Sequence, residues 1–370
     1  MKFSLPKSKL SHVLQSVLQV VPTKSTLPIL TNILIEALDN KLKISATDLD
    51  ISISGSIPCK VTKKGAVALP AKILFEIVRE LPESELTFES TNTRIEIKVP
   101  NGSYKIATVA SDDFPKLPAV NTKKELKVDG DQLVSMIRKT TFACSTDETR
   151  PALNGVLWQT DGDRMRMVAT DGHRLAKVSA DNKILRGMSE DIIIPPKVLN
   201  LIPKFVTSDT KEVGIIFGEN NIIFSVGETV LTSRLIEGPY PNFEQVIPNS
   251  SDQKLTIAKD DLGGAVRRVS ILSNALTHQV KFSIEPNKME LSTSNADVGG
   301  EGREAIECDY AGESMEIGYN AAYVLDILSR IDDAEAVFEF SSPVAAGVVY
   351  SPTVPKDEFL CLIMPLRLAE

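Results

Sequence analysis

The sequence predicts an α+β protein made of three copies of one domain, each with two helices packed on antiparallel sheets. One segment recurs three times. Strands that begin at Leu42, Met165 and Met289 alternate apolar and polar residues and then run into a turn rich in Thr, Asp, Ser or Asn. These starting points lie 123 and 124 residues apart.

A second landmark repeats with nearly the same period. Residues 69–72, 194–197 and 317–320 each close a strand and open an apolar-periodic helix, at offsets of 125 and 123 residues. Two landmarks that recur in the same order indicate triplication, and a fixed internal period determines the architecture. The predicted domains, each of ordinary domain size, cover residues 1–122, 123–249 and 250–370.

The first domain opens with a predicted strand over residues 2–5 and a helix that starts near Pro6. Apolar residues from Leu10 to Val21 recur at helical spacing, which predicts a buried stripe on that helix. A second helix is predicted over residues 71–81. The predicted strands that follow the first helix are 29–37, 42–46, 51–57 and 66–69, and a polar linker is predicted over residues 121–125.

The second and third domains repeat this plan. Short strands are predicted at residues 126–128 and 255–257, and an apolar strand at 359–368. The predicted helices cover residues 129–142, 196–205, 259–273 and 319–331. Domains of this kind leave sheet edges open, and an open edge favours pairing with a neighbouring strand.

Composition is that of a globular chain, with 42% hydrophobic and 24% charged residues and no apolar run long enough to span a membrane. The N-terminal residues lack the apolar core of a signal peptide, which predicts a cytoplasmic protein. The four cysteines are scattered without a CxxC pair, so we expect reduced thiols, no metal and no cofactor.

An enzyme is the least favoured of the function classes. Asp171 and His173 could form an acid/base pair, and Ser145 or Cys144 could supply a nucleophile. The chain has no GxSxG, HExxH or P-loop motif, and a Thr-Asp-Gly-His segment is by itself typical of a tight turn. We therefore predict no catalytic residues.

The charge pattern points in two directions. The net charge of −8 argues against a broadly basic DNA-reading surface, but each of the six predicted helices carries Lys or Arg on its exposed face. On a single helix such residues are ordinarily solvated surface. If symmetry brings the helices to one side, their charges add into a basic stripe that acts locally on phosphates.

Several motifs together resemble one known family. They are Met1-Lys-Phe3, Thr26-Leu-Pro-Ile-Leu30, Asp113-Phe-Pro115, Leu153-Asn-Gly155, Ala169-Thr-Asp-Gly-His-Arg-Leu-Ala176, Tyr323-Val-Leu-Asp326 and Met364-Pro-Leu-Arg-Leu368. This set, in register over the whole chain, is similar to the bacterial sliding clamps, the beta subunit of DNA polymerase III. The resemblance implies a head-to-tail homodimeric ring whose helices line a hole for duplex DNA. It implies a processivity factor without sequence specificity or a catalytic site.

The resemblance also implies site residues. Lys24 and Arg150 match DNA-contacting positions, and Lys197 belongs to the same channel face. Arg79, Arg138 and Arg267 are added from their helix faces alone. For the ring joint, the matching positions are Tyr104 and Ile106 of one copy against Ile271 and Leu272 of the other, with Lys105 facing Glu301 or Glu304.

A hydrophobic cleft between the second and third domains is implied as the docking site for partner peptides. The partners implied are the polymerase alpha subunit, the clamp loader, other polymerases and repair proteins. The cleft positions are Leu153, Thr170, Gly172, His173, Arg174, Leu175, Pro241, Val246, Tyr323, Leu362, Met364, Pro365, Leu366 and Arg367. Leu175, Leu362 and Leu366 could equally be core residues.

Two departures from the family pattern bear on peptide choice. Gln245 stands where related clamps can carry a basic side chain, and Ala369 and Glu370 extend past the usual terminal Leu. A three-domain adaptor that binds proteins and does not encircle DNA is the main rival function.

Overall fold

The computed structural model describes residues 1–91, 93–118, 125–182, 189–248, 253–295 and 299–368. Its helices are α1 (Lys7–Val17), α2 (Ala71–Glu80), α3 (Gly130–Thr140), α4 (Pro196–Leu199), α5 (Lys259–Ser270) and α6 (Ala321–Leu328). Its strands are β1 (Lys2–Pro6), β2 (Asn32–Leu38), β3 (Lys41–Thr47), β4 (Ile51–Pro58), β5 (Lys60–Lys63), β6 (Gly65–Pro70), β7 (Glu85–Ser90), β8 (Arg94–Val99), β9 (Gly102–Ala107), β10 (Val109–Ala110), β11 (Leu126–Asp129), β12 (Val156–Asp161), β13 (Arg164–Thr170), β14 (Arg174–Asp181), β15 (Ser189–Ile194), β16 (Glu212–Phe217), β17 (Asn221–Val226), β18 (Thr229–Arg234), β19 (Gln253–Ala258), β20 (Gln279–Glu285), β21 (Lys288–Asn295), β22 (Gly300–Glu307), β23 (Asp309–Tyr310), β24 (Met315–Asn320), β25 (Glu335–Phe340), β26 (Gly347–Tyr350) and β27 (Phe359–Ile363).

One compact unit comprises residues 1–131 and 197–235. It contains a five-stranded sheet in the order β5-β1-β7-β8-β9 and a nine-stranded sheet in the order β10-β6-β2-β3-β4-β18-β17-β16-β11. Helix α1 packs on β4 and on α2. Its stripe of Leu10, Leu14 and Val17 is fully buried, as the helical spacing predicts.

The other compact unit comprises residues 132–196 and 236–370. Its nine-stranded sheet has the order β15-β12-β13-β14-β27-β26-β25-β19-β23, and its four-stranded sheet the order β22-β21-β20-β24. Helix α5 packs against α6 and β22. Together the two units give the predicted α+β class, with helices on antiparallel sheets.

The two nine-stranded sheets join successive thirds of the chain. Strand β4 pairs with β18, so that Ile53 lies opposite Leu231. Strand β14 pairs with β27, so that Leu175 lies opposite Leu362. The sheet edges at β4, β14, β18 and β27 are therefore closed by pairing within the chain, whereas β9 and β22 remain edge strands.

Prolines account for the main differences from the predicted elements. The predicted helix over residues 196–205 is wrong in length: α4 ends at Leu199, and a separate 3-10 turn follows at Ile202–Lys204. Pro203 has no amide hydrogen to donate, and its ring clashes with the carbonyl of Leu199. Likewise β27 ends at Ile363, two residues before Pro365.

Some expectations fall outside the described residues. These are the linker over residues 121–124, the junctions at 122/123 and 249/250, and the Ala369–Glu370 extension. Among the residues that the structure describes, no helix is long and apolar enough to cross a membrane.

Candidate functional site

The turn between β13 and β14 is fixed by its own side chains. Thr170 Oγ1 donates to the Arg174 carbonyl at 2.6 Å and accepts from the Gly172 amide at 3.1 Å. Asp171 Oδ1 accepts from the amides of His173 and Arg174, both at 2.9 Å. Gly172 has a φ of 90°, which only glycine adopts readily. This five-residue sequence therefore specifies one turn geometry.

Arg174 lies beneath this turn as a nearly buried cation, with 10% of its side chain exposed. Its guanidinium donates to Asp171 at 3.1 Å, to Asp326 of α6, and to the Phe142 carbonyl at 2.8 Å. It also lies 4.5 Å from the centroid of the Tyr323 ring. A buried cation with two carboxylates and an aromatic face is well compensated. Arg174 therefore links the turn, helix α6 and the segment at Phe142.

An aromatic wall stands beside the turn. The His173 ring stacks on Tyr323 with centroids 6.3 Å apart and an interplanar angle of 21°. The His173 carbonyl accepts from the Met364 amide at 2.8 Å. The turn, helix α6 and the segment after β27 thus meet at one place.

Tyr240 also belongs to this site, although it is not among the predicted cleft residues. Its hydroxyl accepts from the Thr170 amide at 3.1 Å, and its ring packs on the core cluster around Leu175 and Phe243. Burial raises the pKa of Tyr240 above its ordinary value, so the hydroxyl is neutral. Tyr240 stands between Pro239 and Pro241, and this local sequence does not indicate that it lies beside Thr170.

The floor of the site is buried, and of the three leucines that could equally be core it includes Leu175 and Leu362, whereas Leu366 is only partly buried. Leu153, Leu175 and Leu362 are 8%, 2% and 3% exposed. Leu175 and Leu362 belong to one hydrophobic cluster to which β12, β13, β14, β15, β25, β26 and β27 contribute. These side chains support the site and offer little surface to a ligand.

The rim is apolar and exposed. Val246 and Met364 are 55% and 41% exposed, and Pro241 is exposed beside Tyr240. Val344, 77% exposed, lies in the loop between β25 and β26, and Gly347 after it pairs with Ile363. Val344 is not among the predicted cleft residues, because nothing in a Ser-Pro-Val-Ala loop predicts which end of the sheet it reaches.

The chain segment after β27 is tied down by its backbone. The Leu366 amide donates to the Gly318 carbonyl at 2.7 Å, and the Arg367 carbonyl accepts from Gln279 Nε2 at 3.0 Å. Pro365 and Leu366 are partly buried, whereas Arg367 and Gln245 are exposed. The first two positions therefore shape the rim, and the other two present polar groups at the surface.

The acid/base and nucleophile interpretations find no support in this geometry. Asp171 accepts from the His173 amide and from Arg174, so its carboxylate is engaged away from the imidazole. Burial, followed by the charge of Asp171, raises the pKa of the Cys144 thiol to about 12. What the site offers is an apolar rim over a rigid polar turn, which suits binding.

The six cations predicted to face DNA are all exposed: Lys24, Arg79, Arg138, Arg150, Lys197 and Arg267. Three of them have a carboxylate partner. Arg79 pairs with Glu80 and Arg150 with Asp147, each at 2.9 Å, and Lys197 pairs with Asp48. Within the described ranges, the other three make no ion pair.

The residues predicted at the ring joint lie on or beside two edge strands. Strand β9 is an edge of the five-stranded sheet, and β22 is an edge of the four-stranded sheet. Tyr104 is 40% exposed and Ile271 79%, whereas Ile106 is buried at 5% and Leu272 is partly buried.

Two of the three charged residues predicted at this joint, Lys105 and Glu304, already have partners within the chain. Lys105 lies 3.9 Å from Glu96, and Glu304 accepts two hydrogen bonds from Arg268. Glu301 is exposed and makes no ion pair with any residue that the structure describes. Of the two predicted partners for Lys105 on a second copy, Glu301 is therefore the more available.

Comparisons with family models and with known proteins all indicate the same family. Family models for the DNA polymerase III beta subunit match residues 1–118 (N-terminal domain), 127–242 (central domain) and 244–367 (C-terminal domain). The beta sliding clamp of Caulobacter vibrioides (strain NA1000 / CB15N) is 33% identical over 374 residues, covering 99% of this chain and 100% of that protein.

Further relatives agree over the full length. The beta sliding clamp of Chlamydia muridarum is 32% identical over 370 residues, covering 100% of this chain and 99% of that protein. The crystal structure of the DNA polymerase sliding clamp from Bacillus subtilis superposes with a TM-score of 0.94 at 31% identity, covering 100% of both chains.

Proposed function

The chain belongs to the DNA polymerase III beta-subunit family of sliding clamps, and on that premise we propose that two copies join head to tail into a ring around duplex DNA. As a clamp, the chain acts in DNA replication as a processivity subunit of the polymerase and has no catalytic site of its own. We assign the protein to the cytoplasm, the compartment in which a bacterial chromosome is replicated.

The observation that carries the ring proposal is that exposed apolar side chains, Tyr104 and Ile271, lie on or beside two edge strands, β9 and β22. The five-stranded sheet ends at β9 and the four-stranded sheet ends at β22, so each of these strands has a neighbouring strand on one side within its described sheet. Unpaired edges of this length are liabilities unless another strand covers them. Pairing β9 of one copy with β22 of the other would continue both sheets, and Tyr104 and Ile271 would cover apolar surface at that joint.

A closed ring needs little affinity for DNA, because it cannot leave sideways. Exposed cations supply a sequence-independent attraction to phosphates, and weak contacts permit sliding. The in-chain ion pairs of Arg79, Arg150 and Lys197 support this role, since a cation shared with a carboxylate binds a phosphate less tightly. We infer that these three and Lys24, Arg138 and Arg267 face the duplex.

The ring proposal is tested by topology. The protein is loaded with a clamp loader on nicked circular DNA, and the complex is then passed over a gel-filtration column. We expect the protein to stay with the circle and to leave when a single restriction cut linearises it. A protein-binding adaptor would be absent from both DNA fractions, and equal retention on circular and linear DNA would contradict encirclement.

We further propose that the site around Thr170 and Met364 docks short peptide segments of partner proteins. The partners are the polymerase alpha subunit, the clamp loader, and other polymerases and repair proteins. An apolar rim that includes an unbranched Met side chain adapts to varied anchors, which suits a promiscuous site. The rigid turn below it keeps the site formed before a peptide arrives.

The docking proposal is tested with a fluorescent peptide from the polymerase alpha subunit. Met364→Ala should weaken its binding about 10-fold, because an anchor at the centre of a small interface carries much of the affinity. Leu38→Ala is the matched control, since Leu38 is 44% exposed against 41% for Met364 but lies in the other compact unit. Equal affinities for the two variants would contradict the site.

A further inference from the structure

The turn at residues 47–51 repeats the turn at residues 170–174 bond for bond. Thr47 Oγ1 donates to the Ile51 carbonyl at 2.9 Å, and Asp48 Oδ1 accepts from the amides of Asp50 at 3.1 Å and Ile51 at 2.7 Å. Each of these bonds has its counterpart 123 residues later. The first compact unit therefore contains a second copy of the element on which the docking site is built.

The strand next to the turn is repeated as well. The Arg234 amide donates to the Asp50 carbonyl at 2.9 Å, just as the Met364 amide donates to the His173 carbonyl at 2.8 Å. Arg234 thus takes the place of Met364. A cation replaces the apolar anchor, so this second site must select a different ligand.

A cavity of about 270 Å³ opens beside the repeated turn. Thr47, Leu49, Asp50, Leu117, Asn221 and Arg234 are among the residues that line it. All of them lie in the same compact unit. The cavity is large enough for one or two amino-acid side chains of an extended segment.

The charge of this cavity is positive on balance. Arg234 and Lys116 line it and are exposed, and neither makes an ion pair with any described residue. Asp50 is the one carboxylate of its lining in the described part of the chain. A free guanidinium offers a fork of donors that fits a carboxylate with two parallel hydrogen bonds.

Two leucines give the cavity an apolar side. Leu49 is 49% exposed and has a φ of 85°, a left-handed backbone that is costly for a leucine. Its counterpart in the other turn is Gly172, with a φ of 90°. Backbone strain of this kind clusters at binding sites, and here it presents an apolar side chain at the cavity mouth.

We propose that this cavity binds a short extended segment of a partner protein that carries an aspartate or glutamate next to an aliphatic residue. The carboxylate binds Arg234, with Lys116 nearby, and the aliphatic side chain packs on Leu49 and Leu117. The comparison with the docking site rests on the proposed function, whereas the cavity and its charge do not.

The test uses the full-length chain with leucine methyl groups labelled for NMR. The probe is N-acetyl-Asp-Leu-amide at millimolar concentrations, and the matched probe is N-acetyl-Asn-Leu-amide, which has the same shape without the charge. We expect saturable shifts of the Leu49 and Leu117 methyls with the first probe. The second should bind at least about 10-fold more weakly, as a charge-assisted hydrogen bond to arginine is lost.

Arg234→Met installs the residue type found at the counterpart position and should abolish the preference for the acidic probe. Lys60→Met is the control, because Lys60 is an exposed cation on the other sheet of the same unit. Equal binding of the two probes, an unchanged preference in Arg234→Met, or shifts confined to Leu362 and Leu366 would each overturn the proposal. Failure of the docking proposal alone would leave the Leu49 and Leu117 shifts intact.

Discussion

Arg174 and Asp326 form an ion pair that joins the turn after β13 to helix α6. The Arg174 side chain is 10% exposed and that of Asp326 46%, so the pair has one buried and one half-exposed member. Tyr323 lies one helical turn before Asp326, and its ring lies over the same guanidinium. The pair therefore positions both the turn and the aromatic wall of the docking site.

Asp326→Ala should lower the free energy of unfolding by about 1–2 kcal/mol, because a nearly buried cation loses one of its two carboxylates. The exposure of Asp326 reduces the effect below that of a fully buried pair. Urea titration followed by circular dichroism measures the change. Glu316→Ala is the control: Glu316 pairs with the more exposed Lys281 at 2.9 Å, and its loss should cost less than about 0.5 kcal/mol. Equal losses for both variants would contradict a special role for the Arg174 pair.

Thiol reactivity provides a second prediction. Burial raises the pKa of both Cys144 and Cys361 to about 12, and that of Cys59 and Cys308 by less. The thiolate is the nucleophile, and at pH 8 a thiol with a pKa of about 12 is ionised to about one part in ten thousand. Because deprotonation increases with pH, the reactivity of Cys144 should rise only as the pH approaches that value.

Iodoacetamide at pH 8 should therefore alkylate Cys59 and Cys308 first in the folded chain, with all four cysteines modified in guanidinium. Peptide mapping by mass spectrometry gives the order. Early modification of Cys144 would show that its surroundings are open to solvent.

Local periodicity predicted much of the fold. The stripe of Leu10, Leu14 and Val17 is buried, and the first two of the three predicted strand-and-turn segments form matching turns with the same hydrogen bonds. Such features depend on neighbours in the sequence. The length of the helix predicted over residues 196–205 was wrong. The apolar pattern continues through Pro203, but a proline inside a helix interrupts its backbone hydrogen bonds.

The site was predicted less completely, since its geometry depends on distant pairings. Leu175 lies in the buried floor of the site and not at its exposed rim, because β14 pairs with β27. The paired residues of these two strands are more than 180 positions apart in the sequence. Arg174 lies under the turn because Asp326 and the Phe142 carbonyl converge on it. Tyr240 joins the site through one hydrogen bond to Thr170, which no local pattern indicates.

The two matching turns give a third prediction, on backbone strain. Leu49→Gly should stabilise the chain by about 1 kcal/mol, because glycine adopts a φ of 85° without the clash of a Cβ. Gly172→Ala should destabilise it by about 1–2 kcal/mol for the opposite reason. An added Cβ at Gly172 would lie 3.1 Å from a guanidinium nitrogen of Arg150, and this flexible side chain can move away. The backbone strain at positive φ is therefore the main cost of the substitution.

Thermal unfolding of the variants measures both the expected gain in stability of Leu49→Gly and the expected loss in Gly172→Ala. Gly102→Ala serves as the control, because Gly102 has no positive φ and its added Cβ would meet only Val99 at 3.8 Å. If Leu49→Gly destabilises the chain, the packing of that leucine outweighs its backbone strain.

The last prediction concerns the proposed joint between two copies. Ile271 is 79% exposed next to the edge strand β22, an unfavourable position for a large apolar side chain unless a partner covers it. Replacing Ile271 and Leu272 together by alanine should weaken the dimer by about 3 kcal/mol, roughly 100-fold in Kd. Sedimentation velocity over a dilution series should then reveal monomer at concentrations at which the unmodified chain remains dimeric.

Val344→Ala is the matched control. Val344 is 77% exposed, but it belongs to the rim of the docking site, where the second copy of the chain is not expected to bind. It should leave the dimer unchanged. If the double variant also remains dimeric at low micromolar concentration, the joint must lie elsewhere, because removing that much covered apolar surface cannot leave a true interface at full strength. A chain that is monomeric before any substitution would contradict the ring itself, because a single copy cannot encircle DNA.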